Sequence, residues 1–144
     1  MIVVTTDLLS LTGTEMAQAV RNQEVSAKEL VSASLARIKE TNPALNAVIS
    51  LRAEEALTEA DQLIDHGQPF LGVPLLLKGL GQTFQGLPAT NGNRLFKDQV
   101  AQSSSNFARA LTAAGFIVLG QTNYPEFGFK NITDSKMYGD ARNP

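Results

Sequence analysis

Lys78 is the residue of this chain best placed by its neighbours to do proton chemistry. Leu71-Gly72-Val73-Pro74-Leu75-Leu76-Leu77-Lys78-Gly79 is an apolar run of strand length that ends on a lysine between glycine-rich turns. Side chains alternate along a strand, so Val73, Leu75 and Leu77 share one face while Leu76 and Lys78 share the other. A lysine held among apolar neighbours loses solvation of its charged form, and its neutral amine becomes available as a base. Lys78 is therefore the candidate catalytic residue, set against the plainer reading that a lysine at a strand end snorkels to solvent.

The other chemistry-bearing residues are spoken for. His66 is the single histidine and cysteine is absent, so with His66-Gly67 read as a helix end, neither a Ser-His-Asp triad nor a Cys-His pair can be assembled. Ser103, Ser104 and Ser105 stand just before Phe107, Ala108, Leu111 and Ala114 and are expected to cap that helix. Gly79-Leu80-Gly81 suggests a phosphate loop, but Gly86 comes too late for a dinucleotide fingerprint. The interval from Gly81 to Gly86 fits a P-loop, yet Leu87-Pro88 follows it in place of Lys-Ser or Lys-Thr.

The elements that must position Lys78 follow from periodicity. Thr12 or Thr14 caps a short helix running to about Asn22. Ser26 and Glu29 form a capping box for a second helix, with Leu30, Val31, Leu35 and Ile38 on its apolar stripe, which Asn42 and Pro43 are expected to stop. Ala47 to Leu51 reads as a strand. A third helix carries Ala53, Ala56, Leu57, Ala60, Leu63 and Ile64 and closes at His66-Gly67. After the lysine strand comes a long polar, turn-rich connection to about Gln102 with no periodic apolar face, expected to be among the most mobile parts together with the tail from about Lys130. Phe116-Ile117-Val118-Leu119-Gly120 reads as a strand buried on both faces, preceded by a helix as a parallel crossover requires. Gln121-Thr122-Asn123 at its carboxyl end would then lie beside Lys78, on the rim where open α/β sheets collect ligands. The apolar start at Ile2 to Val4 is left unplaced, and no helix, strand or polar tail is read beyond Tyr124.

Composition bounds the rest. The 144 residues are 43% hydrophobic and 18% charged, ordinary for one globular domain, and the formal charge of -2 is mixed along the chain. No basic stripe offers itself to nucleic acid or anionic lipid. No apolar run reaches the roughly 18 residues of a membrane span, and the first residues lack the pattern of a signal peptide. The expected compartment is the cytoplasm, which the absence of cysteine suits.

Taken together, these residues resemble the amidase-signature family of serine amidohydrolases over nearly the whole chain from about Thr14. The likeness is carried by Glu24-Val25-Ser26, Glu29-Leu30-Val31, Asn42-Pro43, Leu45-Asn46-Ala47-Val48 and Gly72-Val73-Pro74 leading to Lys78. It continues through Ala114-Gly115, Gly120 with Thr122-Asn123, Glu126-Phe127 and the closing Gly139 with Arg142-Asn143-Pro144. Thr122-Asn123-Tyr124-Pro125-Glu126-Phe127-Gly128 looks most like the branch of 6-aminohexanoate-cyclic-dimer hydrolases and related bacterial amidases.

The resemblance implies an α/β fold with a partial mixed sheet flanked by helices. Residues 1–144 would form a single domain, the N-terminal portion of an amidase-signature domain that ends before its Gly/Ser-rich catalytic segment. It implies a Ser-cisSer-Lys mechanism on a small carboxamide, with Lys78 as the base and no cofactor or metal. Both serines are expected outside this chain, so the chain alone should be inactive. Gly79 departs from the family pattern, which usually has an acidic or amide residue after the lysine. The alternative reading is a non-catalytic binding or self-associating module, and a homo-oligomer is expected because a partial sheet would leave strand edges and an apolar face uncovered.

Overall fold

The computed structural model describes residues 8–144, so the apolar start at Ile2 to Val4 lies outside the described residues. Helix α1 (Gly13–Arg21) opens with a capping box, in which Thr12, rather than Thr14, accepts the Glu15 N–H while the Glu15 carboxylate accepts the Thr12 N–H at 2.7 Å. Helix α2 (Ala27–Leu45) opens the same way at Ser26 and Glu29. It does not stop at Pro43. Pro43 lies within its last turn, two residues before Leu45. The chain instead turns at Asn46, in the left-handed conformation (φ 49°), while the Asn42 side chain accepts the Val48 N–H and donates to the Val48 carbonyl, both at 2.8 Å.

Strand β1 (Val48–Leu51) follows, then helix α3 (Ala53–Asp61). This helix is shorter than its apolar pattern: Leu63 still packs on the core, but Ile64 is exposed. Local side-chain bonds replace the last turn. Asp65 accepts the Gly67 N–H at 2.8 Å, the Gln68 amide donates to the Ile64 carbonyl, and the His66 N–H donates to Gln68. His66 thus sits in a turn beyond the helix and is not its capping residue.

Strand β2 (Pro74–Lys78), helix α4 (Asn106–Ala113) and strand β3 (Ile117–Thr122) form the expected parallel crossover unit. Ser105 caps α4 by accepting the Ala108 N–H, and Ser104 accepts the Gln85 N–H. The sheet order is β1-β3-β2, with β3 antiparallel to β1 and parallel to β2. The alternation of apolar residues predicts the layers. Ile117, Leu119 and Leu76 pack on α2 and α3 through Ala27, Val31, Ala56 and Ala60, whereas Val118, Leu75 and Leu77 pack on the other side against Ala108 and Leu87.

Leu87 belongs to the long connection after β2, which is more ordered than its polarity suggests. Gly86 and Ala89 donate to the carbonyls of Ala101 and Gln99, and Ala101 donates back to Leu87, so the connection folds into a paired flap with a 3-10 turn at Arg94–Phe96. The tail also holds structure: β4 (Asp134–Ser135) and β5 (Gly139–Asp140) form a short antiparallel pair.

Candidate active site

Lys78 closes β2 at the carboxyl end of the sheet. In-register pairing would set it opposite Gln121, but β3 gains one residue at Leu119, so Leu75 faces Val118 while Leu76 faces Gly120. The slip brings Lys78 opposite Thr122, and the Gly79 N–H donates to the Thr122 carbonyl at 3.2 Å. The parallel strands thus place Lys78 and Gln121-Thr122-Asn123 on one rim, as the sequence reading expected.

The surroundings of the lysine differ from that reading. Lys78 is exposed, and its ammonium holds no hydrogen bond or ion pair with any described residue. It is the last residue of β2, whose outer edge no described strand pairs, and Leu76, the nearest residue on its face, lies two positions back.

The rest of the rim is a buried polar network. Gln121 is buried, accepts the Ser50 hydroxyl at 3.0 Å and donates to the Pro88 carbonyl at 3.1 Å, tying β1, β3 and the flap. Asn123 donates to the carbonyls of Asn46 and Gly139, and Asn46 donates to those of Tyr138 and Asp140, which pins the β4–β5 pair to the rim. Tyr124 is 1% exposed, and its hydroxyl accepts the Gly92 N–H at 3.0 Å and shares a hydrogen bond with Thr90 at 3.1 Å. Thr90 also bonds the Tyr138 hydroxyl at 2.6 Å. Burial pushes the Tyr124 phenol above its ordinary value, so it stays a neutral donor and acceptor.

These polar groups bond to one another and to the backbone, whereas the Lys78 amine does not. The rim serines Ser50 and Ser135 are engaged, the latter accepting the N–H groups of Met137 and Tyr138. Among the described residues no three His, Asp or Glu side chains gather as a metal would require. No described helix is long and apolar enough to cross a membrane. Sequence reasoning named Tyr124 only within a motif and missed its contacts, and it missed Thr90 and Tyr138. The signal available was thin: the two tyrosines of the chain both fall in its irregular last part.

Comparison with known proteins agrees with this geometry. The family described as Amidase matches residues 29–144. Lipoamidase of Enterococcus faecalis is 58% identical over 138 residues, covering 96% of this chain and 19% of the lipoamidase. The 6-aminohexanoate-cyclic-dimer hydrolase of Paenarthrobacter ureafaciens is 38% identical, covering 91% of this chain and 26% of that enzyme. A solved structure of 6-aminohexanoate cyclic dimer hydrolase complexed with substrate superposes with a TM-score of 0.87 at 37% identity, over 95% of this chain and 28% of that one. The chain therefore spans a fifth to somewhat over a quarter of the relatives it matches.

Proposed function

We propose a role for Lys78 from a settled premise: the chain belongs to the amidase family. Lys78 is the base of a Ser-cisSer-Lys amide hydrolase, and this chain is the lysine-bearing, N-terminal portion of that enzyme. The observation that carries the reading is the unpaired lysine at the carboxyl rim of a parallel strand pair, inside the matched residues. In the whole protein a neutral Lys78 amine takes a proton, through a bridging serine, from a nucleophilic serine that attacks the carboxamide carbonyl. The C–N bond breaks, the departing amine takes up the proton, and water then hydrolyses the acyl-serine to the acid. Both serines and the oxyanion donors belong to parts of the enzyme that this chain does not span, so the chain alone is inactive. The substrate is a small carboxamide, no cofactor or metal takes part, and the compartment is the cytoplasm. Relatives named for lipoamide, fatty-acid amide and cyclic-dimer substrates support the bond type rather than one substrate.

The test is a chimera in which this chain replaces the matched 138 residues of the Enterococcus faecalis lipoamidase. Lipoamidase activity is expected in the chimera, falling about a hundredfold or more on Lys78→Ala, with none in the isolated chain. A chimera whose activity survives Lys78→Ala would refute the role of the lysine, as would amide turnover by the isolated chain.

A second reading, self-association without catalysis, is favoured by one observation. Leu95, Phe129 and Ile132 are exposed, at 87%, 86% and 64%, on the flap and tail, and the outer edge of β2 is unpaired among the described residues. Exposed apolar groups and open strand edges recruit partners. Sedimentation velocity at micromolar concentration is expected to show a dimer or larger species, and a clean monomer would refute it.

A further inference from the structure

We infer that Tyr124 is the positioning residue for Lys78, acting through the backbone at Gly79, an inference that rests on Lys78 being the base. Gly79 is buried and is not among the glycines with a left-handed backbone, so conformation does not explain why glycine follows the lysine. Space does. A Cβ at position 79 would lie 2.2 Å from Tyr124 Cε1 and 2.8 Å from Cδ1, well inside contact distance. The opposite ring edge is approached less closely: a Cβ at Gly92, whose φ is +70°, would stand 3.3 Å from Tyr124 Cε2 and 3.1 Å from Glu126 Cα. The ring is thus held edge to edge between two glycines, one next to the lysine and one in the flap.

The hydroxyl fixes the ring along its remaining direction. It accepts the Gly92 N–H and bonds Thr90, and Thr90 passes the link to Tyr138, whose ring lies 5.8 Å from that of Tyr124. Gly79 is meanwhile bound to β3 by its N–H on the Thr122 carbonyl, two residues before Tyr124. The peptide that carries Lys78 is therefore clamped between a strand and a ring. An exposed amine with no side-chain partner has no other described means of being aimed.

The experiment uses the 144-residue chain with Tyr124→Leu, Tyr124→Phe, Gly79→Ala and the Gly79→Ala/Tyr124→Leu pair. Two readouts report on the lysine rather than on the fold: amide exchange at position 79 and the Lys78 Cε–Hε resonance. Tyr124→Leu is expected to speed exchange at position 79 about tenfold or more and to shift the Lys78 resonance, while Ile117 to Leu119 stay protected. Gly79→Ala should shift the same resonance, and the pair should bring it back toward wild type, because a leucine leaves room for the methyl. Tyr124→Phe should deprotect the Gly92 amide and leave the Lys78 resonance in place. If Tyr124→Leu does not fold, Gly79→Ala decides alone. Either variant, folded and with the Lys78 resonance unmoved, overturns the inference. Activity surviving Lys78→Ala in the lipoamidase chimera would instead remove the role of the base and leave these exchange and resonance results standing.

Discussion

Replacing Gly120 by alanine probes the feature that sets where Lys78 falls. Gly120 pairs with Leu51 of β1 on one side and Leu76 of β2 on the other, next to the extra residue that moves Lys78 from opposite Gln121 to opposite Thr122. A Cβ there would lie 2.0 Å from the Ser50 carbonyl oxygen and 2.9 Å from Leu51 Cα, both backbone atoms. Ordinary C···O contacts run near 3.3 Å, so about 1.3 Å must be found by moving a strand. Side-chain rotation cannot supply it. Overpacking of this kind costs about 1–3 kcal/mol. Loosening β1 also endangers the Arg52 N–H bond to the Leu119 carbonyl and the Ser50 bond to Gln121, each worth about 1 kcal/mol net.

The expected loss is therefore about 3–5 kcal/mol, a large share of the roughly 5–15 kcal/mol that stabilises a domain. At roughly 2–4 °C per kcal/mol for a chain of this size, the melting temperature should fall by about 6–20 °C. Circular dichroism melts and urea titrations read both numbers. Gly81→Ala is the control: its φ of +75° imposes strain, but no atom lies within 4 Å of the added carbon, so about 1–2 kcal/mol is expected. Equal losses at the two positions would refute the steric argument.

The remaining expectations concern charge. Hydrogen bonds from the Thr12 and Ser26 backbone and hydroxyl groups hold the Glu15 and Glu29 carboxyls below their ordinary value of 4.5. A lowered folded pKa gives a stability contribution that is complete above about pH 4.5 and is lost as pH falls through the lowered values. The melting-temperature advantage of wild type over Glu15→Gln/Glu29→Gln should accordingly shrink from pH 7 to pH 3, and a gap constant with pH would refute the capping assignment. Lys78→Ala, at an exposed residue without a described partner, should leave the melting point of this chain within the effect of a surface substitution, about 0.5 kcal/mol. A larger loss would mean that the lysine is part of the fold.

Local signals in the sequence reached far into the fold. The Ser26–Glu29 capping box, the serine cap of α4, the two-sided burial of β3 and its parallel pairing with β2 depend on neighbours within a few residues or on simple alternation, and each was legible; at α1 the choice of Thr12 over Thr14, and its box with Glu15, came from the structure. What was not legible depended on groups distant in sequence. Pro43 stays helical because Asn42 and Asn46 close the turn beyond it. The pattern through Ile64 and His66 overshoots because Asp65 and Gln68 satisfy the backbone after α3. The connection after β2 has no periodic apolar face, yet Leu87, with Phe84 beside it, seats it on Leu77, Val118 and Ala108. For the candidate site, the placing of Lys78 beside Gln121-Thr122-Asn123 was readable; its exposure and the tyrosine behind it were not.

Gly79 brings these strands of reasoning together. Read along the chain, it is a missing side chain, since an acidic or amide residue there would orient the amine directly. In the folded protein the space such a residue needs is filled by Tyr124, 45 positions away, with a Cβ contact of 2.2 Å that only glycine avoids. The exchange has a physical consequence. A carboxylate beside a lysine brings its own charge, whereas a buried phenol must be desolvated and its hydroxyl satisfied. Thr90 and the Gly92 N–H meet that need, and both lie on the connection after β2. The flap and the glycine after the lysine thus meet at one ring: its edge fills the space at Gly79, and its hydroxyl is satisfied by the flap.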